Sequence, residues 1–282
     1  MSDELNSRVR ADFSKARFKS FINQVVSVLS GQPTTLLSYD EVKENLHIGG
    51  PIYRGVKTIR VDQIAGSLNR YHEFDRAFLP KEDQLANRWQ KVDRAFYQEI
   101  NLPPVVLYKV GDVYFVVDGH HRVSVAREQG QAFIEAEVRE CATRVNITPN
   151  IKPEDLKILG AKVQFLERTA LDDIRPDANL KTTIPDGFER MLEHIAVHRY
   201  FMGIDLKRDI SEEEAVGHWY DTVYLPIVEI IRSSKILKDF KGRTEGDLYL
   251  WTLDHQRYLV NEQGQTLQPP EEAARKFIKG KE

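Results

Sequence analysis

Cysteine is almost missing from this chain: one residue, Cys141, in 282. A single thiol closes no internal disulfide, so the composition suits a reducing compartment. Cys141 ends the β-rich phrase "FIEAEVREC", and a strand end is a poor place for a nucleophile. Long apolar runs are missing too, with no stretch approaching the ~18 residues of a membrane span. The opening "MSDELNSRVRADFSKARF" is charged throughout and has no apolar segment of signal-peptide type. Neither sign of charge dominates: 40 Lys+Arg stand against 43 Asp+Glu. That balance offers no general attraction to nucleic acid and leaves only a local basic patch open. There is no repeat and no low-complexity tract. These absences predict a soluble cytoplasmic globular protein without a membrane partner, long enough for one large or two modest cores.

What is present changes along the chain. Residues 4 to 30 carry Val9, Phe13, Phe18, Phe21, Ile22, Val25, Val26 and Leu29 mostly at three- and four-residue steps, which predicts an amphipathic helix stopped by Gly31 and Pro33. Such a helix serves as a packed arm or a dimer element. "HIGGPIYRG" reads as a loop, and "KTIRVDQI" as a strand with Ile59, Val61 and Ile64. A helix is expected over about 82 to 99. "PPVVLYKV", Gly111-Asp112 and "VYFVV" form a hairpin signal, followed by the helix "HHRVSVAREQG" capped by Gly130 and the strand "AFIEAEVREC". Beyond 150 the pattern is helical. "KPEDLKILGAKVQFLER" fits a helix pair or a broken helix, and "IPDGFERMLEHIAVHRYFMG" a helix ending at Gly203. Ser211-x-x-Glu214 and Thr244-x-x-Asp247 read as helix starts, and Pro226 should kink or split its helix.

The chemistry concentrates in "VVDGHHRVSVAREQG", residues 116 to 130. Asp118-Gly119 falls where a strand meets a helix start, whose free N–H groups and dipole favour anions. Gly119 permits close backbone approach. Arg122 offers a planar fork for phosphate, and His120 or His121 can donate to a phosphate oxygen or shuttle a proton. Asp118 can cap the helix, orient a histidine or hold Mg2+. The plainer alternative is an ordinary Asp-Gly turn with at least one histidine facing the core.

Strand, "VVDGHHRVSVAREQG", strand resembles the core of the ParB/sulfiredoxin superfamily, in which a strand leads into a G-[ED/CH]-[RH]-R type turn and a helix of small apolar residues. "DGHHR" is more similar to the ADP-dependent free serine kinase branch than to chromosome-partitioning ParB proteins, whose turn reads more like G-E-R-R. Sulfiredoxins need a cysteine in this turn; His120 stands there instead, which disfavours sulfinic acid reduction. The resemblance covers roughly residues 57 to 140. It implies an α/β (α+β) protein with a mixed-sheet core; taken with the change of pattern along the chain, that core domain is expected at 34–148, after an N-terminal helical arm at 1–33 and before a mostly helical domain at 149–282. It implies nucleotide binding (ATP, ADP or CTP, with Mg2+) through Gly119, His120, His121 and Arg122. Ser67, Asn69, Arg70 and Arg76, from the loop after the first strand, would line the same pocket. The same likeness makes Glu73 the candidate general base, with Asp118 and His120 completing the catalytic set. Phosphoryl transfer to a small hydroxyl substrate, or nucleotide hydrolysis, would be the chemistry.

The rival reading is a DNA-binding ParB-like regulator or nuclease, supported by Arg8, Arg10, Lys15, Arg17 and Lys19 in the arm. No helix-turn-helix is visible after 150, and the acidic balance opposes it. A third reading is a module whose helical half binds another protein; its phrases are similar to a bacterial domain of unknown function found behind ParB-like modules. His194 and His198 have the spacing of a metal pair, but "HIAVH" lacks the glutamate of "HExxH", so core or boundary histidines are expected. No metal ligand set is assigned. Trp219, Tyr220, Tyr224, Trp251 and Tyr258 read as core aromatics. Arg243 in "KGRTEGD" reads as a solvated loop residue.

Overall fold

The computed structural model describes residues 2–30, 34–263 and 266–279. The chain divides into two compact units, residues 1–156 and 157–282. Its class is α/β, a mixed sheet with helices.

Helix α1, Ser2–Ser30, opens the first unit. Only its first half meets the expectation of a packed amphipathic face. Val9, Phe13 and Ala16 are buried, whereas Phe21, Val25, Val26 and Leu29 are exposed. Gly31 and Pro33, its expected stops, lie outside the described residues. Then come β1 (Leu37–Ser38), α2 (Tyr39–Leu46), β2 (Pro51–Arg60) and β3 (Ile64–Ser67). Helix α3 (Ala86–Tyr97), the hairpin β4 (Val105–Val110) and β5 (Val113–Asp118), helix α4 (His120–Glu128) and β6 (Phe133–Cys141) follow.

The six strands lie in the order β1-β3-β5-β4-β6-β2. β3 runs parallel to β5, β4 antiparallel to β5 and parallel to β6, and β2 antiparallel to β6. The stretch "PIYRG", expected as loop, is instead the first half of β2. A bulge between Tyr53 and Val56, with Gly55 at φ 85°, lets it pair. Pro51 is tolerated because it begins an edge strand.

One face of the sheet carries the core. Leu107, Tyr114, Val116, Ala136 and Val138 pack with Phe13 of α1, Trp89 of α3 and Val123 of α4. Trp89 Nε1 donates to Ser124 Oγ at 2.9 Å, which fastens α3 to α4. On the other face Tyr39 meets Tyr108 and Phe115 edge-on. Cys141 lies buried with its Sγ 3.4 Å from the Tyr39 hydroxyl. Burial pushes its thiol pKa up, so it is not an activated nucleophile.

Helix α5, Pro153–Thr169, is continuous, so Gly160 does not break it into the expected pair. The second unit continues with α6 (Leu171–Ile174), α7 (Gly187–Leu206), α8 (Glu212–Trp219) and α9 (Leu225–Ser234), then α10 (Glu245–Gln263) and α11 (Pro270–Lys279). α7 passes Gly203 and stops at Lys207 in the left-handed region. Ser211 Oγ accepts from Glu214 N at 3.1 Å as a cap. Thr244 and Asp247 cap α10 reciprocally: Asp247 Oδ2 accepts from Thr244 N, and Thr244 Oγ1 from Asp247 N. Pro226 neither kinks nor splits the helix outright. A π turn, Tyr220–Tyr224, joins α8 to α9 and absorbs the missing donor. Trp219, Tyr224 and Tyr249 form the aromatic centre. Tyr249 accepts from Trp219 Nε1 and bonds His194 Nδ1 at 3.0 Å. His194 is therefore a boundary histidine tied to the core, its pKa pushed down to about 4 by burial. Among the described residues no helix is long and apolar enough to cross a membrane.

Candidate functional site

The parallel pairing of β3 with β5 places Ser67 opposite Val116, so the ends of both strands open at the same edge of the sheet. Ligands of such sheets gather there. β5 delivers Asp118, and Gly119, at φ 100°, turns the chain into α4. A Cβ on Gly119 would lie 2.6 Å from Val105 Cγ1, so both space and dihedral demand glycine. No side chain caps the start of α4, which leaves its first amides for another partner. At the other end Gly130 N bonds Arg127 O and Gln131 N bonds Ala126 O, a Schellman closure.

His120 and His121 are both buried, at 5% and 8% exposure. His120 Nε2 lies 2.8 Å from Ser67 Oγ, and its ring stacks on Phe74. Ser67 Oγ also accepts from Arg70 N at 2.9 Å. The hydroxyl has a lone pair for each contact and one proton, so His120 is held by Ser67 in either neutral tautomer, with Nε2 accepting from Oγ or donating to it. His121 Nε2 lies 3.4 Å from Arg70 Nη1, which can only donate. Its own proton then sits on Nδ1, a buried atom with no partner. Desolvation first, then the Arg70 charge, holds both histidines down at about 4. Near neutral pH they are uncharged.

Arg122 is not the free fork that its place in the turn suggests. Nη1 donates to the carbonyls of Pro103 and, at 2.9 Å, Pro104, and Nη2 donates to Asp118 Oδ2 at 2.6 Å. These bonds hold the segment before β4 against the turn. Asp118 is exposed. Arg76 leaves the site altogether, with Nη2 on the carbonyls of Pro149 and Ile151. Glu73 lies against Arg70, Oε1 to Nε at 3.4 Å, while Oε2 is buried without a partner.

A cleft of ≈ 500 Å³ opens over the turn. Asn69, Arg70, Asp118, Gly119, His120, His121 and Arg122 are on its wall. Ser67, Glu73 and Arg76 are not; Ser67 acts through His120 and Glu73 through Arg70. Two residues absent from the sequence reading complete it: Arg88 and Lys91 of α3. Both are exposed, and neither is ion-paired among the described residues. Their three-residue spacing puts them on one helix face, the only local signal they give. The wall thus holds four cations against one carboxylate. Among the described residues no group of three or more His, Cys, Asp or Glu could hold a metal ion. Four of the five basic arm residues have partners elsewhere: Arg17 pairs with Asp83, Lys15 and Lys19 with Glu128, and Arg8 lies over Tyr97.

No family model matches the chain, and no curated protein matches it. Among solved structures it is similar to sulfiredoxin from Arabidopsis thaliana, at 18% identity and TM-score 0.24 over 31% of this chain and 86% of that one. It is similar to the C-terminally truncated chromosome-partitioning protein ParB from Caulobacter crescentus, complexed with CTP-gamma-S. There the identity is 9% and the TM-score 0.24, over 80% of this chain and 99% of that one. A Pnob8-like ParB-N domain aligns at 10% identity and TM-score 0.22, over 81% and 99%. Sulfiredoxin and ParB are two of the three branches with which its turn was compared. At these scores they assign it neither ligand nor activity.

Proposed function

We propose that the chain binds a polyphosphate-bearing small molecule, a nucleoside di- or triphosphate, in the cleft at the start of α4. The observation that carries this reading is the convergence of Arg70, Arg88 and Lys91 on the uncapped opening turn of α4, with Asp118 as the single opposing carboxylate. The helix start supplies free N–H donors and a favourable dipole for phosphate oxygens. Arg70 and Arg88 supply planar forks and Lys91 a point charge. The volume is that of an ordinary small-molecule site.

Mg2+ suits this donor set only as a companion of the phosphates, since it is held by one or two carboxylates plus phosphate oxygens. Asp118 and the Asn69 side-chain oxygen are the residues that would hold it. Phosphoryl transfer asks a protein mainly for positioning and charge neutralisation, and those are the parts gathered here. Glu73 is the proposed base for a small hydroxyl substrate or for water; its unpartnered oxygen is buried and off the cleft wall, so the side chain has to turn from Arg70 into the cleft to act. His120, neutral and fastened to Ser67, positions the turn and can accept a proton. The nucleic-acid reading loses its main support, because four of the five arm cations are engaged within the chain.

Thermal denaturation against ATP, ADP and CTP, with and without Mg2+, tests the reading. A nucleotide at a hundred times its dissociation constant stabilises by about 2.7 kcal/mol. Absence of any shift across the panel contradicts the proposal. Glu73→Gln is expected to keep the shift and abolish turnover.

A further inference from the structure

Outside the cleft, two histidines from different helices meet. His198 Nε2 of α7 lies 2.7 Å from His218 Nδ1 of α8, with the ring planes 26° apart and the centroids separated by 5.0 Å. Thr222, within the π turn, donates its hydroxyl to the His218 carbonyl at 2.7 Å. Its oxygen stands 3.2 Å from His218 Nδ1. With the hydroxyl proton spent on that carbonyl, Thr222 Oγ1 can accept a hydrogen held on His218 Nδ1, the tautomer that also donates to His198 Nε2. One proton then bridges two imidazole nitrogens, and His218 is exposed.

We propose that a borderline divalent transition cation, of the Zn2+, Ni2+ or Cu2+ class, takes the place of that proton and is bound by His198 Nε2 and His218 Nδ1. Imidazole suits these ions, whereas Mg2+ and Ca2+ prefer oxygen. Two nitrogens at ~2.0–2.1 Å from one tetrahedral ion stand ~3.3 Å apart, so the pair opens by roughly 0.6 Å, within the reach of side-chain rotation. The displaced proton moves from Nδ1 to Nε2 of His218, so both ligands stay neutral. No third His, Cys or carboxylate completes a cluster among the described residues, which leaves the other positions to water beside Thr222 Oγ1. Glu214 and Asp221, both close enough to His218 to feel its charge, add negative potential though each is ion-paired to an arginine. The cation links α7 to α8 next to the π turn, a type of irregularity that often marks functional sites.

Calorimetric titration of the full chain with ZnCl2, NiCl2 and MgCl2 at pH 7.5 tests this. The expected result is one Zn2+ or Ni2+ site per chain, none for Mg2+, and loss of that site in both His198→Ala and His218→Ala. His218→Gln, which keeps a donor toward Thr222, must melt like the unsubstituted chain without metal and still fail to bind. With Cu2+, the spin-resonance spectrum should show two coupled nitrogens. Zn2+ or Ni2+ binding that survives in the variants, no binding to the unsubstituted chain, or equal binding of Mg2+ overturns the proposal.

Discussion

Gly119 shows how one residue can determine the geometry of the whole candidate site. Its φ of 100° turns β5 into α4, and the missing Cβ makes room for Val105. Gly119→Ala is therefore expected to cost at least about 1–2 kcal/mol from the left-handed dihedral alone, before the Val105 contact is counted. Chemical denaturation measures this, and an unchanged midpoint contradicts it. Glycine, both histidines and the helix start were all legible in "DGHHR", because they are consecutive. What each side chain touches was not. Arg122 reads as a free fork, yet its partners are the carbonyls of Pro103 and Pro104, set by how the preceding segment crosses the turn. Arg88 and Lys91 lie some thirty residues upstream and look like any solvated helix face until α3 packs on α4 through Trp89 and Ser124.

Among elements, the contact of α1 with α3 and α4 hides a carboxylate. Asp93 of α3 is fully buried; Gln129 Nε2 donates to its Oδ1 at 2.7 Å, and Oδ2 has no partner. Burial first, with Asp12 and Glu128 adding to it against Gln129 and Arg8, lifts its pKa to about 6. The folded chain thus holds this proton where the unfolded chain, near 4, has released it. Stability from this group is complete below about pH 4 and is lost as pH rises through 6. Asp93→Asn keeps the acceptor and removes the charge. It is expected to raise the melting temperature at pH 8 and to raise it less at pH 5; an equal effect at both contradicts the assignment.

The elements themselves were readable wherever the signal was local. The hairpin β4–β5, α4 with its Gly130 closure and the Ser211 cap follow from neighbouring residues. β2 was half misread because Gly49, Gly50, Pro51 and Gly55 suggest a loop, while pairing with β6 and a bulge make a strand of them. Continuity of α5 through Gly160, and the π turn before Pro226, are settled by packing that no short window contains.

At the scale of the molecule, a formal charge of −3 supplies no general pull on anions. Attraction has to be local, concentrated where α3 and α4 face the strand ends, and so it is sensitive to salt. Strand order β1-β3-β5-β4-β6-β2 creates that place, since the parallel pairs β3–β5 and β4–β6 join segments far apart in sequence. No local pattern announces those pairings. The most direct test of the account is a titration with ATP and with tripolyphosphate of the unsubstituted chain and of Arg88→Glu/Lys91→Glu. Both positions are exposed and not ion-paired among the described residues, so the variant should fold and melt normally. The account predicts binding of both ligands by the unsubstituted chain, weakened by rising salt, and a loss of about a hundredfold or more in the variant. Equal affinity of the two proteins, or no binding by either, contradicts it.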